Sequence, residues 1–124
     1  MLFDGRIASI AFAVRGIGNV LTTQRNAWIH AIATVAVILA GVVLSISRLE
    51  WCFVILAMMA VWTAEALNTS LELLADVVSP DVHTVVGRAK DVAAGAVLIS
   101  ALGSVAIGVF VLGPHCLRMV GIEL

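Results

Sequence analysis

From Ile29 to Ile46 the chain carries no charged residue, and only His30, Thr34 and Ser45 interrupt its apolar side chains. A run of this kind approaches the roughly 20 residues a helix needs to cross the hydrocarbon core of a bilayer. Trp28 and Trp51 bracket it, at the depth where indole rings favour the membrane–water boundary. Two more such runs follow. Trp51 to Val78 is apolar except for a row of polar residues in its second half, and Val92 to Leu112 is uncharged throughout. Ser79-Pro80 stops the second run and Gly113-Pro114 ends the third, because proline lacks an amide proton and disfavours helix at the residue before it. Ser47, Arg48, Leu49 and Glu50 read as a tight polar connection between the first two runs. Asp81 to Asp91, with His83, Arg88, Lys90 and Asp91, reads as a polar connection into the third.

The expected fold is therefore an all-α membrane protein with spans at about 29–46, 51–78 and 92–112, forming a single domain over residues 1–124. Composition agrees. Hydrophobic residues make up 62% of the chain and charged residues 12%, where a soluble domain has roughly a quarter of its residues charged. Mean hydropathy is +1.15. A net charge of −1 offers no basic field for nucleic acid. Cys52 and Cys116 lack C-x-x-C spacing and read as small apolar fillers. The N-terminal segment carries Asp4, Arg6 and Arg15 among its apolar residues, unlike a signal peptide, so it is expected to remain in the mature protein.

Before the first span, Phe3, Ile7, Ile10, Val14, Ile17 and Leu21 recur at alternating spacings of four and three, which gathers them on one side of a helix. Arg6, Ser9 and Arg15 fall on the wetter side. The pattern predicts an amphipathic surface helix over 5–25, lying on the bilayer, with an ordinary packed helix as the plain alternative. Arg6, Arg15, Arg25, Arg88 and Lys90 fall on one side of the predicted spans and Arg48 and Arg118 on the other, so the N-terminus is expected in the cytoplasm. Ala96, Ser100, Ser104 and Gly108 form a small-residue stripe suited to close helix packing in lipid.

The chemistry sits in the second span. Glu65, Asn68, Glu72 and Asp76 are spaced i, i+3, i+7 and i+11, which places them in one stripe of a helix. A carboxylate at the centre of a span costs roughly 2.5 to 3.5 kcal/mol on insertion scales, so it needs a metal, a proton or a polar partner. A polar cluster that only fixed helix packing would be served more cheaply by serines. Lys90-Asp91 opens the third span at the level where Asp76 closes the second. Cation, carboxylates and water then meet at one rim with Glu72, an arrangement suited to a magnesium nucleotide, whose metal takes hard oxygen ligands and whose phosphates take a lysine.

The stretch Ala64-Glu65-Ala66-Leu67-Asn68-Thr69-Ser70-Leu71-Glu72, then Asp76, Ser79-Pro80-Asp81-Val82-His83 and Gly87-Arg88-Ala89-Lys90-Asp91-Val92-Ala93-Ala94-Gly95, closely resembles the prokaryotic diacylglycerol kinase and undecaprenol kinase family. Ser9 to Gly16 and Arg25-Asn26-Ala27-Trp28-Ile29-His30 extend the resemblance over nearly the whole chain. It implies a homotrimer in the bacterial inner membrane that uses ATP and Mg2+ without a P-loop to phosphorylate a membrane lipid alcohol. It further implies that Glu65 is the general base on the lipid hydroxyl, that Glu72 binds magnesium beside the nucleotide, and that Asn68, His83, Lys90 and Asp91 are nucleotide contacts. Many members place a second metal-binding glutamate just before the first span, where this chain has Gln24. A neutral amide still offers magnesium an oxygen, so Gln24 joins Glu72 as an expected ligand, with weaker affinity or with help from Asp76. Arg6 falls one residue out of register with the family's N-terminal arginine. Arg25 to His30, Ser47 to Trp51 and Ser79 to His83 resemble the undecaprenol branch more than the enterobacterial diacylglycerol branch. The rival reading is a small proton-coupled multidrug transporter, which has no use for a second membrane glutamate or for Lys90-Asp91.

Overall fold

The structure is a computed structural model that describes residues 2–123, with side chains from residue 5 onward. Four helices follow one another: α1 (Leu2–Thr23), α2 (Arg25–Val43), α3 (Arg48–Val78) and α4 (Thr84–Met119). Of these, α2, α3 and α4 are long and apolar enough to cross a membrane. The dominant packing is α3 against α4, with α1 and α2 laid more lightly against this pair.

Little is buried in the usual sense. The apolar side chains removed from solvent are Val20, Ala27, Ile46, Val54, Ala57, Val61 and Val111, whereas Leu98, Ile99, Leu102, Val105, Val109 and Phe110 on α4 all point outward. Such a surface is unfavourable in water and favourable among lipid tails or against other apolar helices. Helices in lipid gain little from hiding apolar area from one another, so close packing has to hold them. Ser104, from the small-residue stripe, supplies such an approach: its Oγ donates to the Ala57 carbonyl of α3 at 3.0 Å.

The surface helix expected over 5–25 begins at Leu2 and stops at Thr23. Its last turn is closed by threonine hydroxyls, Thr22 donating to Gly18 O at 2.9 Å and Thr23 to Asn19 O at 2.7 Å. Gln24, extended at φ −98° and ψ 121°, is the single residue separating α1 from α2. Ile7, Ile10, Val14 and Ile17 are exposed, so this stripe is not packed on the rest of the chain. The Phe3 side chain lies outside the described residues.

Two connections differ from expectation. The first span ends at Val43 rather than Ile46, in a left-handed turn: Ser45 has φ 52°, Ser45 N–H donates to Val42 O and Ile46 N–H to Gly41 O. This is the Schellman arrangement, with serine where glycine is usual. The polar stretch Ser47 to Glu50 is then the start of α3 instead of a loop. Ser47 Oγ accepts from Glu50 N–H at 3.1 Å, and Glu50 Oε1 accepts from Ser47 N–H at 3.0 Å, a reciprocal capping box. Gly41 lets Trp51 seat at this turn, since a Cβ there would lie 2.7 Å from the indole ring.

The helix of the third span, α4, also outruns the expected 92–112. It begins at Thr84 and passes through Pro114 to Met119. At 1.5 Å per residue its 36 residues reach about 54 Å, well beyond a hydrocarbon core of roughly 30 Å, so hydropathy marks only its middle. Pro114 forfeits one backbone bond without ending the helix, and side chains hold the turn after it. His115 Nε2 lies 3.2 and 3.0 Å from the two Glu50 oxygens, and Arg118 Nε donates to Pro114 O at 3.3 Å. Ser79-Pro80 does end α3, as expected.

Candidate active site

A stripe that runs from the interior to the rim organises the site. Glu65 is 1% exposed and is the largest fully buried side chain of the described residues; Asn68 is 9% exposed one turn on. Glu72 is half-buried and Asp76 exposed, so one helix face carries polarity continuously from the protein's most enclosed point to solvent. Glu65 Oε2 and Asn68 Oδ1 are buried without a hydrogen-bond partner. Each such orphan costs about 1 to 3 kcal/mol, which a folding role alone does not offset. Thr69, also buried, turns its hydroxyl back to the Glu65 carbonyl at 2.9 Å and leaves the carboxylate unassisted.

The side chain nearest the orphan oxygen comes from α2. His30 Nε2 stands 3.5 Å from Glu65 Oε2, near but too far for a full hydrogen bond. Trp62 meets the His30 ring edge-on, with centroids 6.2 Å apart. Its Nε1–H donates to Thr34 Oγ1 at 3.0 Å, and Thr34 donates in turn to the His30 carbonyl at 2.7 Å. From sequence, Thr34 read as an interruption of an apolar run, and His30 as another that also belonged to a stretch resembling the family, with no role assigned to either. A titratable residue inside a span was the available signal.

At the rim, the expected meeting of α3 with α4 is present. Lys90 Nζ donates to Asp76 Oδ1 at 2.8 Å and joins the end of the stripe to the beginning of α4. Both side chains are substantially exposed, so the pair adds little stability and leaves the ammonium accessible. His83 caps α4, its Nδ1 accepting from Val86 N–H at 3.4 Å. Asp91 is exposed. Among the described residues neither His83 nor Asp91 shares a hydrogen bond or ion pair with the α3 stripe. Gln24 precedes α2, and its side chain makes no capping bond.

Glu72 and Gln24 offer only oxygen donors, a set that fits magnesium better than a softer metal. Among the described residues no three His, Cys, Asp or Glu side chains gather into a cage.

Comparison with known proteins matches residues 11–112 to the sequence model of the family described as prokaryotic diacylglycerol kinase. An undecaprenol kinase of Bacillus subtilis is 36% identical over 106 residues, covering 86% of this chain and 86% of its own. A diacylglycerol kinase of Synechocystis is 36% identical over 114 residues, 91% of this chain but 65% of that longer protein. A diacylglycerol kinase of Escherichia coli K12 is 34% identical over 98 residues, covering 73% of this chain and 80% of its own.

Proposed function

The chain belongs to the prokaryotic diacylglycerol kinase family, and on that premise we propose that it transfers the terminal phosphate of ATP to the hydroxyl of a membrane lipid. The observation that carries the reading is the buried carboxylate of Glu65, with an unpaired oxygen, at the inner end of a polar stripe whose outer end meets Lys90. A lipid hydroxyl arrives from the apolar side and a nucleotide from water, and a stripe joining the two is what such a transfer needs.

Glu65 takes the proton of the lipid hydroxyl as that oxygen bonds to the terminal phosphorus; the bond from phosphorus to the bridging oxygen breaks, and ADP leaves. Lys90 supplies a positive charge to the phosphates once they displace it from Asp76, and Asn68, His83 and Asp91 contact the nucleotide. His83 does so at the beginning of α4, where free backbone N–H groups favour an anion. Glu72 and Gln24 would hold Mg2+, which would supply neutralisation of phosphate charge. Phosphoryl transfer asks mainly for positioning and charge neutralisation, so this short set suffices. The outward apolar faces of α3 and α4 and the open rim favour a homotrimer that completes each site between protomers. In the bilayer, α1 lies on the cytoplasmic surface with its Ile7, Ile10, Val14 and Ile17 stripe in the lipid.

Between acceptors, the resemblance of Arg25 to His30 and Ser79 to His83 to the undecaprenol branch favours the polyprenol, and the even coverage with the Bacillus relative supports the same choice. Purified protein given radiolabelled ATP, Mg2+ and equal mole fractions of undecaprenol and diacylglycerol in mixed micelles should label undecaprenol several-fold faster. No labelled lipid of either kind would remove the kinase reading. For the metal, Gln24→Glu should lower the magnesium concentration needed for half-maximal rate, since it adds a charged oxygen ligand. An unchanged magnesium dependence would place Gln24 away from the ion.

A further inference from the structure

His30 faces the proposed base and has no part in the roles above. Its side chain is 15% exposed, that of Glu65 is 2% exposed, and the Nε2 to Oε2 separation is 3.5 Å. The ring is held in place. Trp62, three residues before Glu65 on α3, buttresses it edge-on at 69° between ring planes, and the Trp62 to Thr34 hydrogen bond pins the buttress to the same helix that carries His30. Residues 30 and 34 of α2 and 62 and 65 of α3 therefore fix one another as a set. A histidine at membrane depth is costly unless a polar partner engages it. Among the described residues, the partner in reach is the carboxylate oxygen that nothing else meets.

We propose that His30 is the positioning residue for Glu65: its Nε2–H donates to Oε2 during transfer and fixes the carboxylate so that its other oxygen meets the acceptor hydroxyl. This rests on the reading of Glu65 as the base. No proton is consumed, since His30 keeps its hydrogen and the hydroxyl proton passes to Glu65. The resting contact is about 0.5 Å longer than an ordinary N–H···O bond, and catalytic hydrogen bonds are commonly long before substrate binds and shorten in the complex. His30 also lines an apolar cleft of about 320 Å3 between α2, α3 and α4, walled in part by Ala33, Val61 and Ala101.

The test compares His30→Leu, His30→Gln and His30→Ala in the full-length protein, with kcat and the KM for ATP measured separately. Leucine and glutamine have similar volume, but only glutamine presents an N–H donor near the position of Nε2. The expected result is a kcat lowered roughly 10- to 100-fold in His30→Leu, the scale of a misplaced catalytic group, with KM for ATP unchanged. His30→Gln should stay within several-fold of the parent, and added imidazole should restore part of the rate of His30→Ala. Equal rates for the leucine and glutamine variants, high or low, would overturn the inference. Should His30→Leu fail to fold, His30→Ala decides: recovery with imidazole supports the role and no recovery removes it. Glu65→Gln separates the two readings. An active Glu65→Gln takes both away, whereas an inactive Glu65→Gln beside a fully active His30→Leu leaves the base assignment standing and removes only His30.

Discussion

At its N-terminal end α3 is knitted to its surroundings by hydrogen bonds that close on themselves: Ser47 and Glu50 cap each other, and Glu50 is shared with His115 across on α4. Trp51 fills the space left by Gly41, against a cluster of Ile46, Val54 and Val111. Fourteen residues after Trp51 the same helix buries Glu65 with an oxygen that meets no partner, and Asn68 likewise. The first end uses its polar groups to specify helix boundaries and hold two helices together. The second keeps polar groups buried and underused, which costs stability unless those groups are engaged during the reaction. Burial alone does not separate the two; hydrogen-bond satisfaction does.

The largest test of this contrast is Glu65→Gln. If the inner end is built for substrate, the variant should fold and insert normally and should lose transfer by roughly 100-fold or more, the scale of a general base. Replacing a buried acid, one of whose oxygens has no hydrogen-bond partner, by its neutral isostere should leave thermal stability unchanged or raised. A Glu65→Gln protein that is active but unstable would invert the comparison and make Glu65 a structural group.

The opposite signature belongs to Gly41→Ala. A Cβ at that position would sit 2.7 and 2.8 Å from two atoms of the Trp51 ring and 3.1 Å from Ile46 Cδ1, so indole or backbone has to move. Overpacking of this kind costs about 1 to 3 kcal/mol. The rate per folded molecule should stay at the parental value, because the strain lies at the end of α3 remote from the stripe. A fall in kcat without a fall in stability would mean that the two ends communicate.

The three spans were legible because long, predominantly apolar runs admit few other solutions, and the convergence of Asp76 with Lys90 followed from where those runs end. The boundaries were less legible, for physical reasons that differ from place to place. Ser47-Arg48-Leu49-Glu50 carries the S-x-x-E capping signature, yet its polarity reads as a loop when attention rests on hydropathy. Pro114 reads as a stop, and the His115 to Glu50 contact that holds the turn after it joins residues far apart in sequence. His30 is the costliest omission. Its identity was visible, but what it faces depends on how α2 packs against α3, and no periodicity within either helix contains that information.

The smallest expected effect is at Ser45, and it sharpens the contrast from the well-knit side. Ser45 adopts φ 52° at the end of α2, where the turn pairs Ser45 N–H with Val42 O and Ile46 N–H with Gly41 O, both at 3.2 Å. A left-handed conformation costs a residue bearing a Cβ roughly 1 to 2 kcal/mol. Glycine escapes that cost but loses about 0.5 to 1 kcal/mol through its greater freedom in the unfolded chain. The difference favours Ser45→Gly by about 0.5 kcal/mol, while Ser45→Val, which adds branching where φ is positive, should destabilise by more than about 1 kcal/mol. Thermal unfolding in detergent should therefore rank glycine above serine above valine, with the rate per folded molecule the same in all three. A valine variant as stable as the parent would mean that the turn rearranges without cost, and that the N-terminal end of α3 is held by Trp51 and the capping box and not by the left-handed turn before them.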